Sequence, residues 1–187
     1  MRFTIADLER QAIDFDESLA PGSIDFVEDM QQAGALDTSG HVDLLHEHRG
    51  PGEIVADIRI RGSLKTRMLV PCARCLEPVE QPVEASFDLI FRPQEADLET
   101  SDRAISTSET EIGYYEGDGL LLEDVLREQI LLALPAKTLC REDCQGLCPE
   151  CGRNRNPDRN SDPCDCVTTY SDPRWASLSE IRSRIKS

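Results

Sequence analysis

Eight cysteines occur as four close pairs, and their spacing is the strongest chemical signal in the sequence. A tetrahedral zinc ion accepts four thiolates, and a gap of two residues lets both sulfurs of a pair reach one ion from a tight turn. The run CPECG has this gap, with a proline early in the turn and a glycine after the second cysteine. We therefore predict a ribbon-like zinc knuckle, site 1, with the ligands Cys148, Cys151, Cys164 and Cys166.

The other four cysteines predict a second site whose ligands are remote in sequence. Site 2 would join the end of a strand to the loop after a helix, and its ligands would be Cys72, Cys75, Cys140 and Cys144. A metal that closes such a long loop stabilises the fold. Another partition stays open, in which Cys140 and Cys144 join Cys148 and Cys151 and leave the other four together. One or two structural zinc ions are expected.

Three other uses of the cysteines are less favoured. A thioredoxin-type redox pair belongs at a strand–helix junction, whereas Cys72 and Cys75 follow an antiparallel strand pattern. Disulfide frameworks are typical of secreted proteins, and the run MRFTIADLERQ has no basic region followed by an apolar one. An iron–sulfur cluster also takes four cysteines and stays open as an alternative to zinc.

Catalysis has no support in the motifs. The sequence contains no HExxH, GxSxG, Walker A or GxGxxG run. A closed site with four protein ligands leaves no position for a reacting water. We therefore expect a protein that is not an enzyme and has no small-molecule substrate.

A basic loop follows the knuckle and is the candidate for nucleic-acid contact. Arg153, Arg155 and Arg159 are interleaved with asparagines on a loop that the metal would hold rigid. Arginine binds phosphate in a bidentate manner, and asparagine can meet base edges or sugar hydroxyls. The alternative is a solvated loop whose arginines offset the charge of the thiolates.

The elements that must position these residues predict an α+β fold. Alternating apolar and charged residues predict antiparallel strands near 54–61, 66–70 and 83–91, with a turn at Gly62-Ser63. In the first strand Ile54 would face inward and Asp57 outward. A leucine-rich amphipathic helix over 120–134, with Leu132 on its apolar face and Pro135 at its end, would back this sheet. A short last helix is expected over 172–186, and the region after the first helix would be the Cys-rich zinc knuckle.

Charge divides the chain into three predicted parts. Residues 1–52 form an acidic N-terminal segment, 53–139 a sheet-plus-helix core with an acidic loop at 93–111, and 140–187 a zinc-binding C-terminal region. The three histidines at 41, 46 and 48 are interpreted as part of a solvated strand. A net charge of −16 argues against a general polyanion binder and favours either solubility or a basic partner. No run is long enough to span a membrane, so a cytoplasmic protein is expected.

Taken together, five runs resemble those of the YceD family, the large ribosomal RNA subunit accumulation proteins. The runs are CARC, LREQILLALP, CREDCQGLCPECGRNRN, CDC and DPRWASL. The resemblance covers roughly residues 53–180 and is strongest from Leu126 to Asn156. It implies a non-enzymatic, zinc-binding factor needed for accumulation of the large-subunit ribosomal RNA. Some family members keep the early CxxC but lack the later knuckle, which favours site 2 as defined above.

These observations lead to a functional hypothesis and one alternative. The protein would be a ribosome-biogenesis factor that binds large-subunit precursor RNA, basic ribosomal proteins or both. The arginine-rich knuckle and the last helix would meet RNA, whereas the acidic segments would hold a ribosomal protein. The alternative is a zinc-stabilised protein–protein adaptor without RNA contact.

Overall fold

The computed structural model describes residues 1–26, 29–50, 53–97, 112–158 and 164–166. Short elements begin the chain, namely β1 (Arg2–Thr4), α1 (Ile5–Leu8), β2 (Ile13–Leu19) and β3 (Gln31–Gln32). Three long strands follow, β4 (Leu36–Gly50), β5 (Glu53–Pro71) and β6 (Pro78–Pro93), and then a 3-10 turn at Gln94–Asp97. The remaining elements are β7 (Ile112–Tyr115), β8 (Gly119–Leu121) and α2 (Leu122–Ala133).

The long strands form the centre of a six-stranded sheet with the order β2-β4-β5-β6-β7, in which β3 also pairs with β5. Neighbouring strands are antiparallel except β6 and β7, which are parallel. A second, two-stranded sheet joins β1 to β8 and places the N-terminus beside the start of α2. The fold is therefore α+β-like, with a mostly antiparallel sheet and few helices.

Alternation along β5 explains why the sheet forms and which face it buries. Leu64, Met68 and Val70 are buried, whereas Lys65 and Arg67 between them are exposed. On the exposed face, cross-strand ion pairs join β5 to β6, with Lys65 Nζ 2.6 Å from Glu84 and Arg67 Nη1 2.9 Å from Glu80. This pattern is the one that an antiparallel sheet with one solvated face requires.

The predicted turn at Gly62-Ser63 is wrong, because β5 continues through it. Gly62 pairs with Gly40 on one side and with Phe87 on the other. A Cβ atom at Gly62 would lie 2.7 Å from the Ser39 carbonyl oxygen and 2.9 Å from the Phe87 ring. The glycine therefore permits a close approach of backbone and ring within the sheet. Glycine in the interior of a strand often marks such a close approach.

The prediction of which side chains face solvent is also wrong near the start of β5. Ile54, expected inside, is 56% exposed, whereas Asp57, expected outside, is 4% exposed. Asp57 accepts two hydrogen bonds from Arg92, at 3.1 and 2.9 Å, and Arg92 is itself buried and also contacts Glu47. A buried carboxylate is tolerated here because a buried guanidinium partners it.

Helix α2 packs its apolar side against the sheet. It begins two residues later than predicted, because Gly119–Leu121 form β8. Its buried residues are Leu122, Val125, Leu126 and Ile130. Leu132, assigned to the same face from sequence, is 71% exposed. The helix ends where Leu134 turns to extended backbone before Pro135, as the steric demand of proline predicts.

Several predictions concern segments that belong to this sheet or lie outside the described residues. Strands β2, β3 and β4 of the acidic N-terminal segment pair within the main sheet, and the three histidines lie on β4. The proposed loop at 93–111 begins with the end of β6 and the 3-10 turn. Its remainder, 98–111, and the predicted helix at 172–186 lie outside the described residues. The three-part domain division stays a prediction.

Candidate metal centres

Two groups of four cysteines come together in the structure. Within each group the sulfur atoms all lie within 4.8 Å of one another. One group is Cys148, Cys151, Cys164 and Cys166, and the other is Cys72, Cys75, Cys140 and Cys144. These are sites 1 and 2 as inferred from spacing, and the alternative partition is not the one that the structure brings together.

The distances between sulfurs fit a tetrahedral metal and not a disulfide. In site 2, Cys72 Sγ lies 3.8 Å from Cys144 Sγ, and Cys75 Sγ lies 3.7 Å from Cys140 Sγ. Four thiolates at the usual zinc–sulfur distance would be about 3.8 Å apart at tetrahedral angles. A disulfide needs about 2.05 Å, and all eight cysteines are free. Both groups can therefore hold a metal ion.

The two CxxC turns have the same backbone geometry. Leu76 N–H donates to the Cys72 carbonyl at 2.9 Å, and Gly152 N–H donates to the Cys148 carbonyl at 2.8 Å. Both residues after the second cysteine are left-handed, with φ of 63° at Leu76 and 72° at Gly152. The sequence revealed only CPECG as a knuckle, because glycine marks the left-handed position there and leucine conceals it in CARCL.

Site 2 lies where the β5–β6 hairpin meets the chain that leaves α2. Cys72 and Cys75 lie in the turn between Pro71, the last residue of β5, and Pro78, the first residue of β6. The two prolines pair with each other at the end of the hairpin. Ala73 N–H donates to the Thr138 carbonyl at 2.8 Å, and Cys140 N–H donates to Cys72 Sγ at 3.4 Å. A metal here would fasten the turn of the hairpin to the segment after the helix.

Burial distinguishes the two sites. Cys72, Cys75 and Cys144 of site 2 are buried and pack against three apolar side chains, those of Val79, Leu139 and Leu147. In site 1, Cys151 and Cys166 are exposed, although Cys148 is buried. Cys151 Sγ lies 3.4 Å from Cys164 Sγ. Site 2 is thus a small core, whereas site 1 lies at the surface.

Local hydrogen bonds lower the pKa of Cys72 and Cys144 in site 2 and of Cys148 in site 1, and so favour their thiolates. Burial raises the pKa of Cys72, but three backbone N–H groups directed at its sulfur outweigh this and lower it to about 6. Backbone N–H groups of its own knuckle lower the pKa of Cys148 to about 6. In contrast, burial raises the pKa of Cys140 to about 12, and hydrogen bonds with neighbouring thiols do the same for Cys166. A divalent cation would stabilise all four thiolates of a site together.

Two of the three arginines proposed to contact RNA, Arg153 and Arg155, lie on a short hairpin after the knuckle. Arg153 and Arg155 are exposed, and Arg159 lies outside the described residues. The backbone carbonyl of Arg153 accepts from Cys148 N–H at 2.7 Å, and Arg155 N–H donates to the Gly146 carbonyl at 2.8 Å. The knuckle therefore holds the backbone of both arginines while their side chains face solvent.

Asn156, expected among the surface asparagines of this loop, is instead buried, with 1% exposure. Its side-chain Nδ2 donates to Cys144 Sγ at 3.4 Å, so the residue contacts a ligand sulfur of site 2. Sequence reasoning missed this role because an asparagine beside arginines reads as a polar surface residue. The signal available was its position, five residues after Cys151.

The described part of the chain contains no helix with both the length and the apolar character needed to cross a bilayer.

Fold and site together define an α+β protein in which a mostly antiparallel sheet carries two four-cysteine groups able to hold metal ions. A family model described as large ribosomal RNA subunit accumulation protein YceD matches residues 60–182. The chain belongs to the YceD family, as its motifs predicted.

The curated relatives are mycobacterial and have no assigned function in their names. An uncharacterized protein of Mycobacterium tuberculosis is 32% identical over 127 residues, which cover 66% of this chain and 55% of the relative. An uncharacterized protein of Mycobacterium leprae is 27% identical over 125 residues, covering 67% of this chain and 53% of the relative. The chain thus spans about half the length of these relatives. No solved structure matches it significantly.

Proposed function

We propose that this protein is a non-enzymatic factor that supports accumulation of large-subunit ribosomal RNA by binding precursor RNA, ribosomal protein or both. Membership of the YceD family is the observation that carries this proposal. Both four-cysteine groups would hold zinc, which would supply structural crosslinks and no reaction step.

The donor sets support structural zinc. Each group offers four sulfurs and no other ligand type, which suits a soft or borderline metal in a tetrahedron. With four protein ligands the coordination is complete, so no position is left for substrate or water. Metal analysis of the purified protein should give two zinc ions per chain. Strong visible absorbance from an iron–sulfur cluster would contradict this assignment.

The hairpin of Arg153 and Arg155 is the proposed RNA contact. Both side chains are exposed on a backbone that the adjacent knuckle holds in place. Because the backbone is already ordered, phosphate binding through these arginines would cost side-chain conformational entropy but little backbone entropy. Because the chain as a whole is strongly acidic, with a net charge of −16, such a contact would be local and not a broad basic surface.

Gel shifts with large-subunit RNA at several salt concentrations test the contact. Replacing Arg153 and Arg155 by alanine should weaken binding and reduce the slope of log affinity against log salt by about 1 to 2. The matched control replaces Arg2 and Arg10, two arginines at the exposed N-terminal end. Equal affinities and slopes for the two double variants would refute RNA binding by the hairpin.

The adaptor without RNA contact is the second candidate, and the charge on one side of the sheet favours it. Asp14, Asp16 and Glu17 are exposed on β2, at one end of the strand order. On β5 and β6, in contrast, acids and bases neutralise one another in pairs. An acidic strand of this kind suits a basic protein partner. Capture of ribosomal proteins that survives ribonuclease, with no gel shift of RNA, would favour the adaptor.

A further inference from the structure

We propose that the two metal sites are energetically coupled through Asn156, so that a metal at either site raises the affinity of the other. Asn156 would act as a positioning residue for the Cys144 ligand of site 2, while its own position depends on the knuckle of site 1. This inference rests on the proposed zinc sites and is independent of the proposed RNA contact.

Asn156 is fully engaged and buried, which sets it apart from the exposed arginine before it. Its Oδ1 accepts from the Gln145 backbone N–H at 2.9 Å and from Arg141 Nη2 at 3.0 Å. Its Nδ2 donates to Cys144 Sγ at 3.4 Å and to Asn154 Oδ1 at 2.8 Å. Since a buried amide is costly when unpaired, these contacts fix one orientation of the side chain.

The backbone of site 1 determines where Asn156 lies. The Cys148 N–H donates to the Arg153 carbonyl, and Leu147 pairs with Asn154 in an antiparallel bridge. These bonds close a small hairpin whose first strand leads into Cys148 and whose second leads to Asn156. Ordering the knuckle around a metal at site 1 therefore also orders the segment that carries Asn156.

The same hairpin is joined to the knuckle of site 2. Leu147 N–H donates to the Arg74 carbonyl at 3.1 Å, and Asn154 Nδ2 donates to Glu77 Oε1 at 3.4 Å. Arg74 in turn donates to the Cys144 carbonyl at 2.8 Å. The hairpin of site 1 thus forms one wall of site 2.

The direction of the coupling follows from the Asn156 hydrogen bond to sulfur. An N–H donor held against a ligand sulfur fixes the position of that ligand and stabilises the negative charge that the sulfur carries when it binds a metal. If site 1 is empty and its hairpin is not held, Cys144 loses this donor. Partners of metal ligands typically contribute 10- to 100-fold to metal affinity. By linkage, an occupied site 2 must favour site 1 by the same factor.

The test measures the zinc affinity of site 2 in the full-length protein by competition with a chelator. Four proteins form a cycle: the wild type, Cys151→Ala without site 1, Asn156→Asp without the donor to sulfur, and the double variant. We expect each single substitution to weaken site 2 by about 10- to 100-fold. The double variant should lose little more, because both changes remove one interaction.

The control is Gln145→Glu, which makes the same amide-to-carboxylate change on an exposed side chain beside Cys144 and keeps the backbone N–H that bonds to Asn156. It should leave the affinity of site 2 within about twofold of the wild type. Should Cys151→Ala fold poorly, Cys166→Ala removes the other exposed ligand of site 1 and gives the same comparison.

The outcomes separate the coupling from the metal assignment. An unchanged site 2 after loss of site 1, or additive losses in the double variant, would overturn the role of Asn156. An equal loss in the Gln145→Glu control would do so as well, since it would reveal a general charge effect. If the wild type binds zinc at neither group, the zinc assignment itself fails.

Discussion

Losing a ligand of site 2 should destabilise the protein more than losing a ligand of site 1. The comparison is between Cys75→Ala and Cys151→Ala, each measured in reducing buffer with excess zinc. Both cysteines are the second of a CxxC turn with the same backbone geometry, so the covalent change is the same in both. The difference between them reports what each metal crosslink holds together.

The length of the loop that each metal closes sets the size of the effect. Cys75 and Cys140 are 65 positions apart, whereas Cys151 and Cys164 are 13 apart. A crosslink across the longer loop removes more entropy from the unfolded chain. The ratio of the two loop lengths corresponds to a difference in loop-closure free energy of about 1.4 kcal/mol. Burial acts in the same direction, because Cys75 is 4% exposed and Cys151 is exposed. Any coupling free energy between the two sites is lost in both variants, so it cancels when their unfolding free energies are compared.

Urea unfolding followed by far-UV circular dichroism measures this difference. We expect Cys75→Ala to have a free energy of unfolding at least about 1.4 kcal/mol below that of Cys151→Ala. Zinc analysis of each variant confirms that one site remains filled. Equal stabilities, or a greater loss for Cys151→Ala, would refute the idea that site 2 fastens the sheet to the segment after the helix.

Three further substitutions test the fold around the sites. Leu76→Gly should raise the unfolding free energy by up to about 1 kcal/mol, since leucine at a left-handed position is strained; a decrease in a urea titration would show that the side chain makes contacts that matter. Arg92→Met should cost about 3 to 5 kcal/mol of unfolding free energy by leaving Asp57 buried and unpaired. Exchanging both residues for apolar ones should recover much of that loss. If the double variant were no more stable than Arg92→Met, the loss of pairing would not be the cause. Gly40→Ala should cost about 1 to 3 kcal/mol, because its Cβ would collide with the Arg61 carbonyl oxygen of the neighbouring strand and lie 2.6 Å from the Phe15 ring. An unchanged thermal midpoint would mean that strand and ring both shift without cost.

How far the sequence predicts this protein depends on whether a signal is local. The period-two pattern is sufficient to predict the strands, and Pro135 is sufficient to predict the end of the helix. Side-chain alternation and the steric effect of proline both act within a few residues. Gly62 was misjudged because its partners are remote: Ser39 and Phe87 lie on neighbouring strands. Asp57 was placed outside for the same reason, since its partner Arg92 is 35 positions away.

The candidate sites show the same division between local and remote information. Cysteine spacing is a local signal that predicts the four pairs but leaves two partitions open, and the structure brings together the groups defined as sites 1 and 2. The contact between Asn156 and Cys144 could not be inferred, because it depends on how the hairpin folds back. The knuckle geometry at Cys72 and Cys75 has no local signal, because leucine occupies the left-handed position at Leu76 where glycine is typical.

The burial pattern indicates why metal would be needed at this end of the molecule. Among the described residues, the main core contains twenty buried apolar side chains, whereas the second cluster consists of three buried cysteines with few apolar neighbours. So small a cluster supplies too little hydrophobic free energy to order its own chain, and metal–thiolate bonds are the usual substitute. The exposed arginines of the hairpin are held through this same cluster. On the proposed function, zinc would therefore control partner binding by ordering the surface that meets the partner, without touching the partner itself.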